Sequence, residues 1–502
     1  MNISKSLYIK GLQCHKALWL KKYNKGVLTK PNAAAEALFV AGNEVGELAC
    51  KLFPDGVEVE FNPQDYDGMT AATSQLIKDG TKNIYEASFI YNGVFVAVDI
   101  LHINDDKSVQ IYEVKSSTGV YKNKKKTKLK DEYVNDVSIQ YYVLNGLGFK
   151  VEKICLVHLN NKYVRDKKLD IKKLFNFFDM TDEAINEQQN INTNLADFKK
   201  ILSDKKNEPK IDIGEHCNKP YDCDAIKKHC WQHIPKYSVF DIGGIRKKKA
   251  FKLYKKGIIK FDQITDIDNF SDGQKIQIEA EQTGKSIIDK NAIREFLGGL
   301  TYPIYHLDFE TFMPAIPLWN GTKPYTNIPT QYSIHIQQQN GDLEHKEFLS
   351  QAGADPRYEL SQKLVQNIPP DVTVLTYNMS FEQGRIKELA EEFEEFAEHL
   401  MKIHDNIQDL MMSFSKKHYY APAMKGSYSI KYVLPALVPD SSSYEDLTGA
   451  KDGMAAMNDY AKLTTTTDPQ ETTQIRKDLL EYCKLDTLAM VKILKVLSES
   501  VL

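Results

Sequence analysis

The chain has 502 residues, 42% hydrophobic and 26% charged, with a formal net charge of −3. These are ordinary globular values, and the length suits roughly two to four domains. No stretch approaches the ~20 consecutive apolar residues of a membrane span, and residues 1–10 lack the apolar core of a secretory signal, so a cytoplasmic protein without membrane contact is expected.

In chain order, residues 3–22 read as a short extended stretch and then a helix. Residues 33–52 form a second helix carrying Glu36, Glu44 and Glu47, closed by Pro54-Asp55-Gly56. A further helix is expected at 70–79, strands at 84–89, 94–101 and 109–115, a helix at 134–147 and a strand at 151–158. Asp99 lies inside an apolar strand. Glu113 and Lys115 stand two apart at the end of the next strand, hence on one face. A hairpin across 104–107 lets Asp99 approach Glu113. Two carboxylates and the carbonyl of Val114 would suit a hard divalent cation such as Mg²⁺, and Lys115 could stabilise a phosphate or orient water.

This Asp, gap, Glu-x-Lys pattern, followed by Gln140 on a helix, resembles the RecB-like PD-(D/E)XK nucleases. The resemblance implies that Asp99, Glu113 and Lys115 form a catalytic centre, that Val114 adds its carbonyl to the metal, and that Gln140 is the glutamine of the helix motif. Two departures stand out. Leu144 occupies the place of an expected tyrosine, and the helix at 33–52 lacks the metal-binding histidine, for which Glu47 or Glu44 is the substitute. Residues 122–130 hold six lysines, read either as a solvated loop or as a grip on phosphate.

Residues 163–208 are polar and read as a helical insertion. Beyond them stand Cys217, Cys223 and Cys230, with Cys14 far upstream. Thiolates in such numbers favour zinc or an iron–sulfur cluster, and the gaps do not fit paired zinc knuckles. One cysteine before a nuclease core and three after it resembles the iron–sulfur RecB-like nucleases, including the CRISPR-adaptation nuclease and the AddB subunit. That implies an iron–sulfur cluster, 4Fe–4S, on Cys14, Cys217, Cys223 and Cys230, with zinc as the lesser alternative. Cys50, Cys155 and Cys483 read as core thiols.

Two short helices around Gly243-Gly244 and Gly257 resemble a helix–hairpin–helix module, whose amides bind phosphate, or else form a plain helical linker. From Tyr302 a new α/β pattern begins. Asp308 and Glu310 share one face of a strand, a second strand at 372–378 leads to Glu382 on a helix, and Tyr482 and Asp486 lie four apart on a late helix. Together these resemble the motifs of the tyrosine subclass of DEDD exonucleases with an RNase H-like fold. The resemblance implies two metal ions on Asp308, Glu310, Glu382 and Asp486, with Tyr482 positioning water. Glu382 stands where aspartate is usual, and Asp409 could supplement it. Residues 426–431 are expected to line the same cleft.

The fold class expected is α/β: a PD-(D/E)XK domain at 1–235, a small helical module at 236–300 and an RNase H-like domain at 301–502. This arrangement is similar to an uncharacterised bacterial family with two nuclease blocks. The function expected is a Mg²⁺- or Mn²⁺-dependent nuclease acting on DNA, in repair, recombination or defence. The alternatives are a non-catalytic nucleic-acid scaffold and a redox-sensing iron–sulfur protein.

Overall fold

The run Val94–Ile103 is apolar at nearly every position. In the computed structural model, which describes residues 3–441 and 444–502, it is an inner strand of a sheet. The chain is mixed α/β and divides into two units, Met1–His233 with Pro314–Thr326, and Ile234–Met313 with Asn327–Leu502. Among the described residues no helix is long and apolar enough to cross a membrane.

The first unit contains strands β1 (Ile3–Ser4), β2 (Val57–Glu58), β3 (Asn83–Tyr91), β4 (Val94–Ile103), β5 (Val109–Lys115), β6 (Val151–Leu159) and β7 (Phe175–Asp179). Their order is β2-β3-β4-β5-β6-β7, with β1 parallel to β4. An Asn92-Gly93 turn, both residues at positive φ, joins β3 to β4, as a tight hairpin requires. The β4–β5 hairpin forms as expected, with Ile103 opposite Val109 and Ile100 opposite Tyr112, while β6 lies parallel to β5. The segment 163–208 is not helical throughout. It adds β7 as an antiparallel edge strand before the helices Thr181–Asn186 and Gln188–Ser203.

Helix Lys5–Gln13 starts where the Ser4 hydroxyl accepts from the Leu7 amide. It buries Tyr8 and Gly11 against Phe198 of helix Gln188–Ser203. Helix Asp131–Gly146 covers the sheet with Val137, Ile139, Val143 and Leu144. Leu144 is therefore core packing.

The second unit contains β8 (Ile287–Ile288), β9 (Ile304–Phe312), β10 (Ile328–Gln337), β11 (Leu343–Leu349), β12 (Thr373–Thr376), β13 (Ile407–Asp409) and β14 (Tyr419–Tyr420). The main sheet runs β11-β10-β9-β12-β13, antiparallel on the β10 and β11 side and parallel from β9 to β13. The 32-residue helix Pro469–Ser500 packs on β9 and β10. The segment expected as two helices around glycine turns is one 3₁₀ turn, Val239–Asp241, and one helix, Lys247–Lys255. It has its own small core of Val239, Ile242, Phe261 and Ile278. The Gly243 amide donates to Gln277 Oε1 at 2.7 Å, so that part of the turn is already engaged within the protein.

A Cβ on Gly11 would meet the buried Phe198 ring at 2.6 Å. Gly11→Ala should therefore lower stability by about 1–3 kcal/mol through overpacking. The urea midpoint checks this: it should fall with an unchanged slope.

Candidate active sites

The first acidic centre forms where β4, β5 and helix Asp131–Gly146 meet. Next to the Ile100–Tyr112 pair, Asp99 Oδ2 accepts from the Val114 amide at 2.7 Å, and Asp99 feels the Glu113 charge. Lys115 Nζ donates to Glu113 Oε1 at 2.7 Å and to Asp136. Gln140 Nε2 donates to Glu113 Oε2 at 2.7 Å. Asp99, Glu113, Val114, Lys115 and Gln140 are thus brought together. Glu47 is not: it stands exposed on helix Ala33–Cys50. The carboxylates set beside Asp99 and Glu113 are instead Glu86 and Asp136.

Glu86 sits on β3 opposite Asp99, between the pairs Tyr85–Ile100 and Ala87–Val98. Its φ of +54° is unusual for a non-glycine residue. Asp136 lies one turn before Gln140, a helical spacing that would have revealed it in the sequence. Lys5, at the start of its helix, donates to both Glu113 oxygens at 3.0 and 3.1 Å and pairs with Asp136 at 3.3 Å. Nothing in the sequence near Lys5 hinted at this, because the contact spans 108 residues.

Glu113 is only 2% exposed. Burial alone would raise its pKa, but Lys115 and Lys5 outweigh burial and hold it well below the usual carboxylate range. Asp99 is pushed up to about 7 by burial and by the Glu113 charge.

The second centre is more concentrated. Asp308 and Glu310 on β9 and Asp486 on the long helix bring ligand oxygens within 4.8 Å of one another. Glu382 lies buried on helix Met379–Glu392, and its charge adds to that felt by Asp308 and Glu310. Tyr444 donates to Asp486 Oδ1 at 2.5 Å, and Lys431 Nζ donates to the Tyr482 hydroxyl at 3.1 Å. Of 426–431, Lys431 is the residue seen to join the centre. Asp409 accepts from the amides of Asn378 and Met411, a turn-capping role. Burial raises all four central carboxylates: Asp308 and Glu310 well above normal, Asp486 to about 6 and Glu382 to about 8.

Cys14, Cys217, Cys223 and Cys230 line one pocket. Burial pushes the Cys223 and Cys230 thiols up to about 11, while Lys10 and Lys16 respectively pull them down. The lysine run 122–130 is an exposed loop in which Lys122 pairs with Asp131 and Lys130 lies over the Tyr133 ring at 4.6 Å.

Residues 305–429 match a family described as "Domain of unknown function (DUF2779)". The match includes Asp308, Glu310 and Glu382 and ends before Tyr482 and Asp486. The chain is similar to "Uncharacterized protein MG366" of Mycoplasma genitalium, 25% identical over 233 residues, covering 43% of this chain and 35% of that protein. It is also similar to "Uncharacterized protein UU173" of Ureaplasma parvum, 26% identical over 208 residues, covering 38% and 30%. The chain spans about a third of the length of these curated relatives.

The raised carboxylates of the second centre have a common consequence. An acid with a folded pKa above its unfolded value holds its proton longer when folded. Its contribution to stability is full below about pH 4 and declines as pH rises through about 6 for Asp486 and about 8 for Glu382. Metal-free protein should therefore melt at a lower temperature at pH 8 than at pH 5, and Glu382→Gln should flatten the upper part of that decline. Circular dichroism melts across this range test it.

Proposed function

We propose that the chain is a metal-dependent nuclease with two heads, acting on DNA with Mg²⁺ or Mn²⁺. The first unit would be a PD-(D/E)XK-type head and the second an RNase H-like, DEDD-type 3′–5′ exonuclease. The observation that carries this reading is the convergence of Asp308, Glu310 and Asp486 within 4.8 Å. Gathering buried like charges is unfavourable unless a cation joins them. Glu382 Oε2 is also buried without a hydrogen-bond partner, an oxygen a cation would satisfy. Glu382 is thus a fitting fourth acid despite its extra methylene.

When bound, the cations would lower the pKa of water and neutralise charge on the scissile phosphate. Asp308, Glu310 and Asp486, with Glu382, would hold them. Tyr444 fixes the Asp486 carboxylate, and Lys431 fixes the Tyr482 hydroxyl, so the tyrosine is oriented to hold water beside Asp486. In the first head Asp99, Glu113 and the Val114 carbonyl would hold the cation. Lys115 would face the phosphate, and Gln140 would orient Glu113. The sheet supports this assignment: an antiparallel β3-β4-β5, a covering helix and a parallel β6 follow the order of a PD-(D/E)XK core. The buried, unpartnered Gln140 Oε1 is a further fit.

The four-cysteine pocket fits an iron–sulfur cluster better than zinc. Four sulfurs line it beside His216 and Asp212, and among the described residues no three of the sulfurs lie within 4.8 Å of one another. A single tetrahedral zinc with Zn–S of about 2.3 Å needs its sulfurs closer than that. A bound cluster would tie the end of helix Lys5–Gln13 to the segment 217–230.

A second reading has its own observation. Lys5 and Lys115 occupy Glu113, so the first head could bind nucleic acid without cutting it. Lys5 then acts as a resident cation that a metal must displace.

Lys115→Ala should remove one cleavage activity and Asp308→Ala the other, each by about 10²–10³-fold. Wild-type cleavage by both single variants and by the double variant would refute the two sites. Lys5→Met in the Asp308→Ala background should tighten Mn²⁺ binding about tenfold by removing the competing charge. Calorimetric titration with Mn²⁺ reads this directly, and unchanged binding would leave Lys5 a purely structural ion pair.

A further inference from the structure

The first unit carries an open groove of about 1100 Å³. Its lining includes Lys51, Lys162, Lys168, Lys172 and Lys173, against two acidic residues, Asp166 and Asp170, the second of which pairs with Lys173 at 3.5 Å. The five lysines are exposed. Between them lie Leu52, Ile171 and Val164, the last 45% exposed. A chain whose net charge is −3 therefore concentrates positive charge along one trough.

The position of the trough points to its use. Lys51 caps the helix Ala33–Cys50, whose last residue, Cys50, feels the Asp99 charge. Asn160, also in the lining, directly follows β6, in which His158 pairs with Lys115. The lining therefore includes a residue two positions beyond the strand partner of Lys115 and the residue next to Cys50, which ties the groove to the first acidic centre along the chain.

We propose that this groove binds a single-stranded nucleic acid, its phosphates on the lysines and its bases on Leu52, Val164 and Ile171, and feeds it to the first centre. The inference rests on the nuclease reading of that centre and adds the strand's path. Mobile lysines track a phosphate backbone without reading sequence. Apolar side chains between them match the exposed base faces of a single strand, which a duplex keeps stacked inside.

The test is fluorescence anisotropy of the full chain with labelled single-stranded DNA, single-stranded RNA and duplex DNA, without added divalent cation, over a range of salt. The wild type should prefer single strands, and the DNA and RNA arms identify which. Lys168→Glu, Lys172→Glu and Lys173→Glu combined should weaken single-strand binding at least tenfold. The same change should reduce the magnitude of the log–log salt slope by about 2, near 0.7 per lost phosphate contact. Lys51→Glu, at the end of helix Ala33–Cys50, should shift both in the same direction. Lys205→Glu with Lys206→Glu, exposed and outside the groove's lining, should change neither. If the wild type binds and both groove variants bind equally well with the same slope, the groove assignment is overturned while the nuclease reading stands. If the wild type binds no nucleic acid, both fall together.

Discussion

Carboxylates that converge inside a protein lose hydration and repel one another, and both units of this chain are organised around that constraint. They answer it in opposite ways. In the first unit two lysines are brought to the acids: Lys115 from the same strand as Glu113, and Lys5 from a helix 108 residues away. Glu113 is consequently held ionised. In the second unit Lys431 bonds a tyrosine hydroxyl rather than a central carboxylate. There Asp308, Glu310, Glu382 and Asp486 are driven towards their protonated forms.

The helix Lys5–Gln13 links the first centre to the cysteine pocket. Its first residue reaches Glu113 and Asp136, and the residue after its last is Cys14. Between these ends, Lys10 pairs with Asp224 at 3.2 Å, and Gln13 donates to the carbonyls of His216 and Tyr221. Nine helical residues span about 13 Å, short enough to act as one rigid piece. Its close seat on Phe198, which only glycine at position 11 permits, fixes both ends together.

Much of this was legible in the sequence, for reasons local to the chain. The period of two placed Glu113 with Lys115 and Asp308 with Glu310, and the period of four placed Tyr482 near Asp486. Val109–Lys115 is recognisable because an apolar run of strand length, Val109, Ile111, Tyr112 and Val114, ends in charge. What escaped depended on contacts distant in sequence or on irregular backbone. Lys5 lies in an unremarkable stretch, and Glu86, whose charge is felt by Asp99, sits at a positive φ inside a strand. Glu47 and Glu44 stand in for a histidine that the family resemblance expects on the early helix, but both are exposed. Strand β7 was hidden because Phe175–Asp179 pairs on one edge only, and its sequence carries little alternation between polar residues.

The difference between the centres bears on how each would respond to a cation. Where lysines already compensate the acids, as at Glu113, an incoming ion gains only the difference between its own contacts and those it displaces. Where protons do the compensating, as at Glu382 and Asp486, an ion competes with hydrogen ions, so its advantage grows as pH rises through the raised pKa values. The same buried carboxyl chemistry therefore makes one centre sensitive to the placement of a helix and the other to the acidity of the medium. That distinction follows from which positive groups the fold brings near, since both sites draw on the same types of acid.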